Sequence, residues 1–479
     1  MHSLATTACR AAIVMERLKK LYHKHFGCEP VTICPILGSG SDRSYMRLGS
    51  PAGSAIGVIG MDTKENYTFI YIDRLMREKG FNAPEVYGAS DDGTAYLQQD
   101  LGDTCLLPLL HTAEGDNYVR EIMQLLPHLQ FELNPDLDKL YPVSVMTRDV
   151  ALRDLHYFKY CFLKAVDTPI DEQALDEDFN RLLDDLWGDN LQGAVYRDCQ
   201  SRNIMIHAGQ PWWIDFQSMR KGPVLYDVAS FLWQARAQFS DSERVEFSNI
   251  YYDNLPVESK PARESFHIQL RKMAMLRTLQ VLGAYGLRGL TQRKAHFIVS
   301  IPAALANAVE LFDNGLSGAY PQLEKSVRHV AGMKQFQPGE SDGRLHVQVF
   351  SFSYKRGYPQ DFSGNGGGFM FDCRAMHNPG RYDEYKQLTG RDTPVITFLE
   401  ERGEVQPFLQ AAEALTFPAV ERYIARGFSS LQIGFGCTGG RHRSVYCAEH
   451  LAHHIAEKFG KCVKVTLCHR EQGINEVLT

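Results

Sequence analysis

The feature that most constrains this chain is a set of polar residues placed between short apolar runs near its middle. In YRDCQSRNIM, Asp198 and Asn203 lie five positions apart in a loop after the apolar run AVY at 194–196. A second apolar run, WWI at 212–214, ends directly at Asp215. The pattern predicts strand, polar loop and strand, which would bring two carboxylates and one amide together.

These residue types suit phosphoryl transfer. That reaction needs a carboxylate to accept the hydroxyl proton and oxygen ligands to hold Mg²⁺ on the phosphates. Asp198 fits the role of catalytic base, and Asn203 and Asp215 fit the role of metal ligands. Taken singly, each residue has a structural explanation as a turn residue or helix cap. The combination favours the chemistry.

An Asp and an Asn spaced as D-x4-N, followed by a β-hairpin and then an Asp at a strand end, form the arrangement of protein-kinase-like folds. The forms here, YRDCQSRN and IDFQ, resemble the aminoglycoside and choline phosphotransferase family, and Asp227 in YDVA resembles its structural Asp before a helix. GSGSDRSYMRL, ENYTFI and YRDCQSRNIM resemble the branch that phosphorylates the anomeric hydroxyl of N-acetylmuramate and N-acetylglucosamine. The resemblance implies ATP, Mg²⁺ and an amino-sugar acceptor.

A nucleotide-binding lobe should precede the catalytic loop. The glycine-rich segment before the second strand candidate predicts a flexible turn whose backbone and hydroxyls approach phosphates. Its candidate residues are Gly38, Ser39, Gly40, Ser41 and Ser44. The next strand candidate lacks the Lys that kinase-like folds normally place there. Arg47 and Lys64 are the candidate substitutes, although a lone cation is usually a solvated surface charge.

The acceptor is expected beside the catalytic loop. Asp154, in the helical segment RDLHYFKYCFLK, and Arg202 are the candidate substrate-binding residues. Asp100, in QQDLGD, resembles the hinge that leads into the larger lobe and is a further candidate. A structural role in core or lobe packing is the competing explanation for residues on the Asp154 helix.

A domain boundary is indicated by the polar segment KQFQPGESDGR at 334–344. Strand and helix patterns alternate after it, which predicts a three-layer, largely parallel α/β domain. One predicted strand runs into the loop CTGGRHRS directly before a helix, where backbone N–H groups and cations favour an anion. The predicted anion-binding residues are Cys437, Thr438, Gly439, Gly440, Arg441, His442, Arg443 and Ser444.

This last part resembles the carboxyl-terminal domain of the RapZ family of RNase adapters. FSYKRGYPQD, FDCRAMHNPGRYDEYKQLTGRD and IGFGCTGGRHRSVYCAEHLA carry the likeness. The resemblance implies a pocket that senses an amino-sugar phosphate above Cys437, and contact with small RNA. The spacing Cys437-x5-Arg443 is also that of cysteine phosphatases, so nucleophilic attack by the thiolate is an alternative.

RNA contact stays open. Basic and aromatic residues interleave in this part of the chain and could form a patch, but the formal net charge of −6 provides no global basic field. The patch would comprise Lys355, Arg356, Arg374, Arg381, Lys386, Arg391, Arg441 and Arg443 with Tyr354, Tyr358 and Tyr382.

The sequence thus predicts an α+β bilobal protein-kinase-like fold followed by a separate α/β three-layer domain. The expected bounds are 1–100 for the nucleotide-binding lobe, 101–335 for the catalytic lobe, 336–344 for a linker and 345–479 for the RapZ-like domain. No apolar run reaches membrane-helix length, and the 11 cysteines are unpaired by pattern, so a cytoplasmic protein with reduced thiols is expected. The alternative to an amino-sugar kinase is a non-catalytic nucleotide- and RNA-binding regulator.

Overall fold

The computed structural model describes residues 15–36, 43–187, 191–292, 294–337, 344–359 and 368–478. These residues fall into two compact units. One lies within Met1–Gly283 and Ala303–Ala331, and the other within Ala284–Pro302 and Gly332–Thr479. The stretch 284–302 thus groups with the second unit, whereas the sequence-based bounds assigned it to the catalytic lobe; those bounds stay a prediction.

The first unit begins with a helix and an antiparallel five-stranded sheet. The helix, α1, covers residues 15–26, and the strands are β1 (Thr32–Ile36), β2 (Ser44–Ser50), β3 (Gly53–Ile59), β4 (Val86–Ala89) and β5 (Ala95–Gln99). The strand order is β1-β2-β3-β5-β4. Strands β1 and β2 form the predicted hairpin, with Ile36 opposite Tyr45. The turn that carries Gly38, Ser39, Gly40 and Ser41 lies outside the described residues.

Helix α2 (Thr63–Glu78) follows β3 and packs one face against the sheet. Its N-cap Asp62 accepts backbone hydrogen bonds from Lys64 N at 3.1 Å and Glu65 N at 3.3 Å, which satisfies two of the unpaired N–H groups of the first turn. Phe69, buried on α2, stacks on Phe216 at 4.6 Å between ring centroids. This stack ties α2 to the segment that carries Asp215.

The rest of the first unit is mainly helical. Its helices are α3 (Ala113–Glu132), α4 (Arg148–Phe158), α5 (Glu172–Trp187), α6 (Leu225–Leu232), α7 (Asp241–Asp253), α8 (Arg263–Tyr285, the last two residues in the second unit), α10 (Ile301–Leu311, mostly in this unit) and α11 (Pro321–Ala331). Two short antiparallel strand pairs lie among them: β6 (Gln192–Val195) with β9 (Arg220–Pro223), and β7 (Ile204–His207) with β8 (Gln210–Trp213). These pairs frame the loop that the sequence marked as catalytic.

The second unit contains a mostly parallel sheet. After the short α9 (Ala295–Ile298) come β10 (Leu345–Ser353), β11 (Gly368–Asp372), α12 (Thr393–Glu401), α13 (Val405–Ala425), β12 (Ser430–Cys437), α14 (Arg443–Phe459), β13 (Val463–His469) and β14 (Ile474–Leu478). The order is β11-β12-β10-β13-β14, parallel except for the last pair. Side chains of the sheet and of all three helices share one apolar core. The predicted α/β domain is therefore confirmed, with β14 and α12 as additional elements.

Two absences hold for the described residues. Every cysteine described is a free thiol, as expected from the absence of CxxC pairs. No helix in the described ranges is both long and apolar enough to cross a membrane.

Candidate phosphotransfer site and anion loop

The loop that carries Asp198 is held by a buried carboxylate. Both oxygens of Asp227, on α6, accept backbone hydrogen bonds, Oδ2 from Tyr196 N at 2.7 Å and Oδ1 from Arg197 N at 2.8 Å. Gln130 also donates to Asp227 Oδ2, at 2.9 Å. Arg197 has a φ of +75°, a conformation that costs a non-glycine residue about 1 kcal/mol or more. Asp227 offsets this strain, which is the structural role that the family resemblance implied.

Asp198 is surrounded by arginines. Its Oδ1 accepts a hydrogen bond from Arg277 Nη2 at 3.2 Å, and Arg277 is a buried residue of α8. Burial would raise the pKa of Asp198, but the positive charges of four arginines outweigh burial and hold the pKa below its ordinary value. In order of decreasing strength these are Arg197, Arg277, Arg202 and Arg220. Asp198 is therefore ionised at neutral pH, the state that a proton acceptor requires.

The two predicted metal ligands flank this loop. Asn203 Nδ2 donates to the backbone oxygen of Asp198 at 2.8 Å, which leaves the amide oxygen of Asn203 to act as a ligand. Asp215 has a φ of +66°, and its Oδ1 accepts from Gln217 Nε2 at 2.8 Å. Burial is the largest influence on the pKa of Asp215 and raises it. The hydrogen bond from Gln217 lowers this pKa and the charge of Asp198 raises it, so the pKa is raised overall. A buried carboxylate in this state is stabilised by a cation, so this amide and carboxylate fit Mg²⁺.

Two of the predicted phosphate-binding cations are engaged elsewhere. Arg47 binds Asp100 through Nε at 2.8 Å and Asp103 through Nη2 at 2.8 Å. Lys64 lies over the ring of Tyr141, 5.6 Å from its centroid. Asp100 in turn accepts from Ser54 Oγ at 2.8 Å. Arg47 and Asp100 thus stabilise each other at the hinge, and neither cation is the one that acts on Asp215.

Arg43 is a cation near Asp215 that the sequence analysis did not name. It is buried, its Nη2 lies 3.6 Å from Glu65 of α2, and its positive charge lowers the pKa of Asp215. Sequence reasoning missed Arg43 because it searched β3 for the expected Lys. The signal was present, since Arg43 directly follows the glycine-rich turn. Ser44, the remaining predicted residue of this region, pairs with Ile59 in the sheet.

Asp154 belongs to the same charged cluster as Asp198. Burial is the largest influence on its pKa and raises it, while Arg197, Arg277 and Arg220 act in the opposite direction. Arg220, on β9, lies opposite Val195 of β6, and Val195 is two residues before Arg197 in the chain. Asp154 therefore lies near Asp198 together with arginines that local sequence patterns could not reveal, and its role in substrate binding stays a prediction. Arg202 is exposed and acts on both Asp198 and Asp215.

In the second unit, Cys437 ends β12 and is enclosed by its own loop. Its Sγ lies 3.1 Å from Ser444 Oγ and accepts from Gly440 N at 3.2 Å, and the residue is 3% exposed. Burial acts most strongly and would raise the thiol pKa, but the hydrogen bonds from Ser444 and the charge of Arg443 bring it below the ordinary value. Thr438 and Gly439 are exposed at the carboxyl end of the sheet.

The cations of this loop contact backbone carbonyls, although Arg443 Nε is buried without a partner. Arg443 is buried, and its Nη1 donates to Arg374 O at 3.1 Å and Met376 O at 2.8 Å. His442 Nε2 lies 2.9 Å from Tyr385 O, and Arg441 Nη1 reaches the carbonyls of residues 386 and 387, each at 3.3 Å. A phosphatase needs its Arg to clamp the phosphate, so this geometry disfavours Cys437 as a nucleophile.

Several cations of the predicted RNA patch are paired with carboxylates. The ion pairs are Arg356–Glu471 at 3.2 Å, Arg374–Asp372 at 2.7 Å, Lys386–Asp383 at 2.5 Å, Arg391–Glu449 at 2.7 Å and Arg391–Glu476 at 3.0 Å. Pairing reduces the positive potential available to phosphates. Among the described residues, no group of three or more His, Cys, Asp or Glu side chains could hold a metal ion.

Comparisons with known proteins agree with this division of the chain. Residues 63–262 match the model of the phosphotransferase enzyme family, and residues 345–473 match the RapZ C-terminal domain. A nucleotide-binding protein of Paramagnetospirillum magneticum is 42% identical over 132 residues, covering 28% of this chain and 40% of that protein. A nucleotide-binding protein of Chromohalobacter salexigens is 36% identical over 154 residues, covering 32% and 49%.

The chain thus spans less than half the length of these two relatives. Among solved structures, a choline/ethanolamine kinase family protein from Mesorhizobium loti is similar with a TM-score of 0.43, 14% identity, and coverage of 62% of this chain and 92% of that one. A choline kinase from Streptococcus pneumoniae has a TM-score of 0.43, 11% identity, and coverage of 61% and 99%. From the two family models, the chain carries a phosphotransferase-family domain of kinase-like fold followed by a RapZ C-terminal domain, as the sequence motifs predicted.

Proposed function

We propose that the protein is an ATP- and Mg²⁺-dependent kinase of an amino sugar, of the N-acetylmuramate or N-acetylglucosamine class, acting on the anomeric hydroxyl. The observation that carries the proposal is the ionised Asp198 beside Asn203 and Asp215, on a loop held in a strained conformation by Asp227. Strain of this kind persists at sites where precise placement matters.

Asp198 accepts the proton of the acceptor hydroxyl as the oxygen attacks the γ-phosphorus. Asn203 and Asp215 would hold Mg²⁺, which neutralises charge on the phosphates when it is bound. Arg43 takes the place of the strand Lys in this proposal, since its Nη2 lies 3.6 Å from Glu65 and its charge lowers the pKa of Asp215. The predicted contacts of Gly38, Ser39, Gly40, Ser41 and Ser44 with phosphate remain part of the proposal.

The RapZ C-terminal domain binds an amino-sugar phosphate in this proposal. Support comes from the exposed Thr438 and Gly439, which lie at the carboxyl end of β12 just before the amino terminus of α14. Since Arg441, His442 and Arg443 donate to carbonyls, backbone N–H groups of the loop would supply most of the anion contacts. A cytoplasmic location and RNA contact stay predictions from sequence.

A coupled ATP-consumption assay tests the kinase function. The full chain with Mg²⁺ is offered N-acetylmuramate, N-acetylglucosamine, glucosamine and aminoglycosides, and phosphorus NMR identifies any product. A sugar 1-phosphate is the expected result. Nucleotide binding without turnover of any acceptor would exclude the kinase function and favour the alternative, a non-catalytic regulator.

A second assay tests whether the Cys437 loop only binds a phosphosugar or also hydrolyses a phosphate ester. Cys437→Ser should leave kinase turnover unchanged, and the wild type should not hydrolyse a generic aryl phosphate. Hydrolysis that disappears in Cys437→Ser would show that the thiolate attacks phosphate after all.

A further inference from the structure

We propose that Gln234 is a positioning residue for the proposed metal ligand Asn203, which it holds in place through Ser201. The inference rests on the proposed function and adds a residue from outside the metal site. Gln234 follows helix α6 directly after the C-cap residue Trp233. Loss of its amide oxygen should weaken metal binding and leave the affinity for the metal-free nucleotide unchanged.

The turn that carries Asn203 does not satisfy its own first N–H group. Ser201–Asn203 is a single 3₁₀ turn, and Gln200, at its N-cap, provides no side-chain hydrogen bond. Ser201 is 0% exposed, so bulk water does not reach its polar atoms. A buried N–H group without an acceptor is costly, and the turn therefore depends on an acceptor from another part of the fold.

Gln234 provides that acceptor. Its Oε1 accepts hydrogen bonds from Ser201 N at 3.1 Å and from Ser201 Oγ at 2.8 Å. Its Nε2 donates to Phe231 O, a carbonyl near the end of α6, at 2.8 Å. Because a backbone N–H group can only donate, the amide oxygen is the atom that faces Ser201. The amide of Gln234 is thus fixed at both ends, between the helix and the turn.

The position of the turn sets the position of Asn203. Its backbone N donates to Gln200 O at 2.8 Å, which closes the turn. Its backbone O accepts from Ile214 N at 3.1 Å, and Ile214 directly precedes Asp215. A displaced turn would therefore move the amide of Asn203 relative to the carboxylate of Asp215. Mg²⁺ requires nearly ideal octahedral geometry, so its affinity is sensitive to such a displacement.

Helix α6 holds both ends of the catalytic loop. Asp227, in its first turn, binds the backbone N–H groups at the start of the loop, and Gln234, beyond its last turn, binds Ser201. Asp198 lies between these two anchors, and Asn203 follows the second. The two anchors should therefore have separate effects, Asp227 on the placement of the base and Gln234 on the placement of the metal ligand.

The test measures metal affinity directly, without turnover. Mn²⁺, which suits the same oxygen ligands as Mg²⁺, is titrated into the full chain with a non-hydrolysable ATP analogue, and EPR measures the free ion. Gln234→Met removes the acceptor with little change in length and should raise the Kd of Mn²⁺ about tenfold. Calorimetry with the analogue and EDTA should show an unchanged nucleotide affinity. Gln173→Met, at an exposed position of α5, is the matched control and should match wild type in both measurements.

Ser201→Ala tests the same contact from the other side. It removes one of the two hydrogen bonds to Gln234 and should raise the Kd of Mn²⁺ about threefold. The double variant should lose no more affinity than Gln234→Met alone, because the acceptor is already absent. Ser201→Ala deletes only a hydroxyl group, so it decides the question if Gln234→Met does not fold.

Three results would overturn the proposal. The first is an unchanged Kd of Mn²⁺ in folded Gln234→Met, or in Ser201→Ala if Gln234→Met does not fold. The second is an equal loss of nucleotide affinity with and without the metal, which would show that Gln234 supports the whole lobe. The third is a wild type that binds no Mn²⁺ in the presence of the analogue.

The kinase function fails in a different way. Weaker Mn²⁺ binding in Gln234→Met, without any sugar phosphate in the NMR spectrum of the wild-type reaction, would exclude the kinase and support the positioning role. Turnover of an amino sugar with an unchanged Kd of Mn²⁺ in Gln234→Met would support the kinase and exclude that role.

Discussion

The loop around Asp198 and the loop around Cys437 contain similar residues, yet their arginines are satisfied in opposite ways. Arg443 donates to two backbone carbonyls and is closed to solvent. Arg197 has no such partner in the described residues and lies beside an ionised carboxylate. The protein thus binds Arg443 through Nη1 and leaves only its buried Nε without a partner, whereas the guanidinium of Arg197 has no protein acceptor in the described residues.

The largest effect is expected at the base itself. Asp198→Asn keeps the size of the side chain but removes the proton acceptor, so kcat should fall by about 10³-fold or more while nucleotide affinity is retained. Calorimetry with the ATP analogue and the coupled assay measure the two quantities on one preparation. A fully active Asp198→Asn enzyme would contradict the mechanism.

Asp227→Asn should lower kcat by about 10²-fold, because an amide oxygen cannot replace both carboxylate oxygens that hold Tyr196 and Arg197. Steady-state kinetics check this loss. Wild-type turnover in Asp227→Asn would show that Asp227 does not position the loop.

The same variant tests a pH dependence. Burial raises the pKa of Asp227 to about 6, above the unfolded value of about 3.9. The folded state therefore binds this proton more tightly, and the free energy of unfolding falls as pH rises from about 4 to about 6, by up to about 3 kcal/mol. Denaturant unfolding should show a smaller fall in Asp227→Asn than in wild type, since other buried carboxyls with a raised pKa, such as Asp73, titrate in both proteins. Parallel pH profiles would contradict the assignment.

Arg443→Gln tests the structural side of the comparison. It removes donors from the carbonyls of Arg374 and Met376, so the second unit should lose about 2 kcal/mol of stability. Kinase turnover should be unchanged. Thermal unfolding of Arg443→Gln against the exposed control Arg402→Gln measures the difference. Equal unfolding temperatures would mean that Arg443 is available to a ligand.

Arg43→Gln should weaken nucleotide binding about tenfold through the loss of one buried cation near Asp215. Arg77→Gln, which removes a surface pair with Glu85 at 3.5 Å, is the control. If Lys64→Gln weakened binding and Arg43→Gln did not, Lys64 would be the substitute for the strand Lys.

The sequence predicted local features well and distant partners poorly. It placed strands at 194–196 and 212–214, close to β6 and β8, and it placed β12 and α14 as the structure has them. Their signals lie within short windows of apolar and polar residues. The domain models confirm both family resemblances.

Arg277 could not be found in this way, because it lies 79 positions from Asp198 and only the fold brings the two together. Arg47 is a second case: its sequence position suited a phosphate ligand, and only the fold shows that Asp100 and Asp103 pair with its guanidinium. The partners of a charged side chain are set by tertiary packing, which a single sequence does not show.

The most direct test of the central claim is a crystal structure of the full chain with Mg²⁺, a non-hydrolysable ATP analogue and N-acetylmuramate. We expect the metal on Asn203 and Asp215 and the anomeric hydroxyl within hydrogen-bond distance of Asp198. A sugar hydroxyl remote from Asp198, or a metal bound away from Asn203 and Asp215, would contradict it.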